Sequence, residues 1–152
     1  MGTTFRRPLV AFAFSMALAG AAFADAGLPL ERAADDARLQ WGPCPPIFAG
    51  GCQIAVLNGD PAKPNADVFL RVDGGMVLPT HMHTSAERMV LVEGELKVRY
   101  KGAPEAIWLP GTYAFGPAGL AHRASCISDS PCTLFIAFEG PVDANLSTEA
   151  VD

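Results

Sequence analysis

Glycine and proline set the limits on this chain. From Gln53 to Glu139 they recur at short intervals, often beside Asn or Asp, as in Asn58-Gly59-Asp60-Pro61 and Asp73-Gly74-Gly75. Proline fixes φ and removes an amide donor, and both residues weaken a helix interior, so only short segments survive between them. Those segments suit strands: Gln53–Leu57, Asp67–Val72, Val77–His83, Arg88–Glu93, Glu95–Tyr100, Ala106–Leu109, Thr112–Phe115, Ala121–Cys126 and Thr133–Glu139. In Glu95–Tyr100 the side chains alternate, with Leu96, Val98 and Tyr100 on one face and Lys97, Arg99 and Lys101 on the other. That is the pattern of a half-buried strand. Nine short strands joined by turns predict an all-β sandwich or barrel. There is no 20–50-residue repeat, no Gly-rich phosphate loop and no G-x-S-x-G elbow.

The ends read differently. Arg6 and Arg7 precede an apolar run from Leu9 to Ala24 that closes in Ala22-Phe23-Ala24. A basic start, an apolar middle and an A-x-A site make residues 1–24 a secretory signal peptide, cleaved after Ala24. The run is short for a membrane span. The Arg6-Arg7 pair admits twin-arginine export, but its flanks favour the ordinary route. Residues 25–43 form a leader or linker. From Gly27 to Arg38, through Glu31–Arg38, the composition favours a short helix or else a floppy leader, and Gly42-Pro43-Cys44-Pro45-Pro46 breaks regular structure. Residues 141–152 have little apolar content and are expected to be a loosely held C-terminal tail.

Removing residues 1–24 takes away two arginines and no acid, moving the net charge from −5 to −7. With no basic run, nucleic acid is excluded as a partner. No second stretch is long and apolar enough to cross a membrane. The mature chain is thus expected to be exported, periplasmic or secreted. Cys44, Cys52, Cys126 and Cys132 form an even set without C-x-x-C, which in an oxidising compartment points to disulfides rather than a thiolate site. Three connectivities are open. The local one, Cys44–Cys52 with Cys126–Cys132, is the expectation, each bond worth about 2–3 kcal/mol by chain entropy.

The chain has three histidines, His81, His83 and His122. In a strand His81 and His83 share a face, with Met82 opposite. A bend at Thr84-Ser85 would let Glu87 turn back toward them from the next strand, and His122 would arrive from a later one. Three imidazoles and a carboxylate suit a divalent transition metal, although an H-x-H pair on an extended strand can equally face solvent.

The spacing carries a resemblance. Gly75, five residues, His81-x-His83, three residues, Glu87, six residues, Gly94 is similar to the first motif of the cupin superfamily. Gly111, five residues, Pro117-x-Gly119, two residues, His122 is similar to the second. The chain resembles a small single-domain bacterial exported cupin over residues 44–140. The implied fold is a cupin-type double-stranded β-helix, or jelly-roll barrel. The resemblance implies that His81, His83, Glu87 and His122 are metal ligands and that Gly94, Gly111 and Gly119 serve turns. One position departs: where the second motif ends in Asn, this chain has Cys126, and a Cys126–Cys132 disulfide across Ile127–Pro131 is expected to take over that turn.

The resemblance further implies one divalent metal ion (Fe, Mn, Zn, Ni or Cu), a small-molecule ligand or substrate, and a homodimer paired through sheet edges. Dioxygenase, isomerase or lyase chemistry would follow. The alternative is a non-catalytic module holding a metal or small ligand, and a storage role fits worst. Further pocket candidates are Arg71, Arg88, Tyr113 and Phe115. Alternation from Glu87 sends Met89 and Leu91 to its face and Arg88 away, while the phases of Arg71 and Tyr113 stay open. Phe115, Trp108 and Met89 are expected in the core, and no side chain declares itself as a general base.

Overall fold

The computed structural model describes residues 29–48 and 50–152. Among the described residues eleven strands form two antiparallel sheets: β1 (Trp41–Pro43), β2 (Cys52–Asn58), β3 (Asp67–Val72), β4 (Val77–Met82), β5 (Glu87–Glu93), β6 (Leu96–Tyr100), β7 (Ala106–Trp108), β8 (Tyr113–Gly116), β9 (His122–Cys126), β10 (Cys132–Phe138) and β11 (Asn145–Leu146). The six-stranded sheet runs β1-β2-β3-β10-β5-β8 and the five-stranded sheet β11-β4-β9-β6-β7. The nine expected strands are β2–β10 with small shifts at their ends. The short β1 and β11 went unforeseen.

Alternation builds the core. Leu96 and Val98 on β6, Met89 and Leu91 on β5, and Leu134, Ile136 and Phe138 on β10 all bury into one apolar interior. Removing such surface from water is the main stabilising force. Two disulfides anchor its ends, with Sγ–Sγ distances of 1.96 Å for Cys44–Cys52 and 2.07 Å for Cys126–Cys132. The second closes the loop whose motif position departs from the family. Gly94 crosses beside it at φ 81°, where a Cβ would sit 2.8 Å from Cys132 Sγ and from the Pro131 carbonyl. Only glycine fits there.

Three expectations are corrected. Among the described residues there is no helix, and Glu31–Arg38 forms turns. The Asp36 carboxylate takes both the Arg38 backbone N–H and its guanidinium, a local bond that competes with a helix. Ala34, Leu39 and Trp41 instead cover Ala55, Phe69 and Phe135 on the six-stranded sheet. Arg71 clamps this leader, its guanidinium 4.1 Å from the Trp41 ring and donating to the Ala34 carbonyl. The C-terminal tail is held rather than loose: β11 pairs with β4, and Val151 is buried at 2% exposure. Phe115 is not in the core but 52% exposed on β8, beside Tyr113 at 61%.

Candidate metal centre

A fault in the β4–β9 ladder aims the histidines. Leu78 pairs with Ala124 and His81 with His122, so two residues of β4 lie opposite one of β9 between these pairs. The bulge shifts the phase of β4, and Leu78 and His81 both face inward although they sit three apart. His83 follows two residues later, just past the end of β4. Thr84-Ser85 forms the expected bend, and β5 opens with Glu87 pointing inward. Gly119 donates its N–H to the His83 carbonyl at 2.8 Å, tying the turn before His122 to the end of β4.

One ring nitrogen from each of His81, His83 and His122 lies within 4.8 Å of the other two, and all three residues are buried. Each ring turns its Nδ1 onto a backbone carbonyl: His81 onto Pro79 at 2.7 Å, His122 onto Leu120 at 3.0 Å, and His83 onto Asp143. A carbonyl can only accept, so Nδ1 carries the proton and Nε2 keeps its lone pair. Outer hydrogen bonds of this kind hold imidazoles as metal ligands.

Electrostatics agrees with neutral rings. Burial lowers the pKa of His81 to about 3, helped by His122, and that of His122 to about 4. Burial lowers His83 as well. Glu87 Oε2 is 3.4 Å from His83 Nε2, on a residue 2% exposed. Burial, with a contribution from Asp143, raises the Glu87 pKa to about 8. A carboxylate and three lone pairs in one apolar space are unfavourable alone. They become favourable around a cation, and nitrogen donors with one carboxylate suit a transition ion. The donor set therefore fits the expected group.

The site opens into a cavity of about 60 Å³. Its apolar walls include Phe48, Trp108 and Phe138, and among the described residues neither lysine nor arginine lines it. Met89 and Trp108 are buried in this wall. Of the other candidates, Arg88 points out to Glu139, Arg71 holds the leader, and Tyr113 and Phe115 face outward.

Three contributors went unnamed from the sequence. Tyr100 stacks on His122 with centroids 4.7 Å apart. A Cβ on Gly116 would lie 2.9 Å from the Tyr100 hydroxyl and 3.2 Å from Glu87 Oε2, so a side chain there would press on both. Burial and Glu87 push the Tyr100 pKa upward. Phe48 meets His81 edge-on at 4.8 Å. Asp143 supplies the carbonyl for His83, while its carboxylate accepts from the Thr84 N–H at 2.9 Å. Tyr100 alone had a signal, the inward phase of β6.

Similar structures carry this fold. A DMSP lyase from Ruegeria pomeroyi aligns with TM-score 0.61 and 21% identity over 72% of this chain and 61% of its own. An RmlC-like cupin from Shewanella frigidimarina gives 0.57 and 21% over 74% and 92%. An oxalate oxidase gives 0.55 and 15% over 64% and 56%. The chain spans 63% and 61% of the length of two DMSP lyase structures among those it matches. No curated protein matches the sequence. The ChrR cupin-like domain matches residues 31–143, most of the chain, and the protein belongs to that cupin family.

Proposed function

We propose that the chain is an exported cupin that holds one divalent transition metal through His81, His83, Glu87 and His122 and acts on a small organic molecule. One observation carries this reading: three buried imidazoles, each locked by an Nδ1–H bond to a backbone carbonyl, share one apolar pocket with a buried carboxylate. A bound Fe, Mn, Zn, Ni or Cu ion would supply Lewis acidity, or oxygen or water activation, at open coordination positions. The protein's part is to fix the donors, exclude water with Phe48, Trp108 and Phe138, and back the His122 ring with Tyr100.

The walls narrow the substrate. A dianion would leave one charge buried without a cationic partner, at a cost of several kcal/mol. A neutral or singly charged molecule of a few heavy atoms fits. A lyase and an oxidase among the similar structures support enzyme chemistry of the dioxygenase, isomerase or lyase kind. The second reading, a module that holds metal or a small ligand without turnover, draws on the tightness of the cavity.

Elemental analysis of protein from its native compartment, beside His81→Ala, is the test. Near-stoichiometric metal that disappears in the variant supports the site, and substrate-dependent O₂ uptake or product formation then separates enzyme from binder. Absence of metal in both, even after reconstitution, overturns the reading.

We also propose residues 1–24 as a cleaved signal peptide, 25–43 as leader, 44–140 as the cupin barrel and 141–152 as the C-terminal tail. Two cysteine pairs at bonding distance are compatible with an oxidising compartment. N-terminal sequencing should begin at Asp25. The partner is proposed to be a second copy, because β8 is a sheet edge bearing exposed Tyr113 and Phe115. Light scattering showing a monomer at micromolar concentration refutes that.

A further inference from the structure

Apart from Glu87, which comes from β5 of the six-stranded sheet, the proposed metal centre uses the inner side of the five-stranded sheet. On the outer face of the same strands, Arg99 of β6 lies directly opposite Arg123 of β9, and Lys97 lies opposite Ser125. Like charges in direct register destabilise a sheet unless something offsets them. Here they surround a concavity of about 200 Å³, with Ser125 in its wall, Glu105 on one side and Val77 at the rim. Concentrating Lys97, Arg99, Lys101 and Arg123 on one side is unusual in a chain of net charge −5.

The chain's own tail partly fills the demand. Arg99 Nε donates to the Val151 carbonyl, Arg123 lies 3.9 Å from the Asp152 carboxylate, and Lys101 lies 3.0 Å from Glu149. Lys97 is 3.9 Å from Glu105. The 3.9 Å pairs sit at the limit of contact, and the Arg123 and Asp152 side chains are 45% and 85% exposed. Such pairs are worth little and exchange easily. A guanidinium fork, by contrast, takes an oxyanion through two parallel N–H bonds.

We propose that this outer groove is an oxyanion site for a small free anion of the phosphate class, read by Arg99, Arg123 and Lys97, with the acidic tail as its built-in competitor. It stands apart from the metal centre, on the opposite face of the sheet.

The test uses full-length, metal-loaded protein and inorganic pyrophosphate, followed through the arginine Nε–H signals by NMR. Saturable shifts at Arg99 and Arg123 are expected, with the imidazole signals unmoved. Arg123→Gln should weaken binding about tenfold. Glu149→Gln with Asp152→Asn should tighten it about threefold by removing the competitor. Lys97→Gln gives a second, milder loss should Arg123→Gln disturb the sheet. Shifts that never saturate, or that persist unchanged in Arg123→Gln and Lys97→Gln alike, mean a diffuse counterion only and overturn the site. Saturation with no gain in the tail variant overturns the competitor role.

Discussion

The inner and outer faces of β5, β6 and β9 carry opposite chemistry one residue apart. Glu87 faces in and Arg88 out; Tyr100 in and Arg99 out; His122 in and Arg123 out. The inner groups can each be neutral at physiological pH, and burial drives them there: Glu87 up to about 8, His122 down to about 4. A guanidinium has no neutral form to retreat to, so it stays where water or an anion can reach it. The interior therefore selects groups that a metal can recharge by binding, and the exterior keeps permanent charge.

The largest effect should come from forcing the two faces together. Val98, 3% exposed, points inward on β6, and Lys97 beside it points out. Val98→Lys buries an unpaired ammonium and should cost about 3–5 kcal/mol, read from the urea midpoint. Lys97→Val should stay within about 0.5 kcal/mol. Equal costs would mean that the faces do not differ as described.

Next in size is His122→Ala. Loss of one inward imidazole should weaken metal affinity on the order of 100-fold or more, measured by competition with a chelator. The melting temperature with excess metal should fall toward the metal-free value, because a ligand that binds only the native state stabilises it by mass action. Unchanged affinity would leave His122 as a packed core residue.

How much of this was legible follows from where each signal lies. Period-two alternation placed Leu96, Val98 and Tyr100 together, sent Arg88 outward, and put His81 and His83 on one face. The bulge that lets Leu78 and His81 both face inward leaves no trace in local sequence, because it arises from pairing with β9. Phe48 reaches His81 from a disulfide loop without periodicity, and Asp143 reaches His83 from a segment docked by a two-residue strand. Phe115 looked like core by composition, but edge strand β8 has a neighbour on only one side. Glu31–Arg38 looked helical by composition, and the Asp36 bonds with the packing of Ala34 and Leu39 outweighed that weak preference.

A smaller effect should appear in the pH dependence of the metal-free chain. His81 and His122 fold with pKa values of about 3 and 4 against an ordinary 6.5, so their contribution is lost as pH falls from about 6.5 through that range. Glu87 folds with a pKa of about 8 against 4.5, so its contribution is present in acid and lost as pH rises through 8. Stability should peak near neutrality and fall toward pH 8 by on the order of a kcal/mol or more. Glu87→Gln should remove the alkaline fall. Bound metal should flatten it, since a cation favours the carboxylate. An alkaline fall that persists in Glu87→Gln would assign it elsewhere.

The smallest effect should be at Arg88, the outward neighbour of Glu87. Its partner Glu139 is 45% exposed, and Arg88 itself is 50% exposed. Exposed pairs contribute about 0–1 kcal/mol, because solvent screens them and two long side chains must be ordered. Arg88→Gln should therefore shift the urea midpoint by no more than about 0.5 kcal/mol equivalent and leave the metal content at its full value. The contrast with Glu87→Gln isolates orientation from sequence position, since both substitutions replace an ionisable group by an amide at consecutive residues of one strand. A drop in metal content in Arg88→Gln would show that the Arg88–Glu139 pair holds the start of β5 in register, coupling the outer face to the centre.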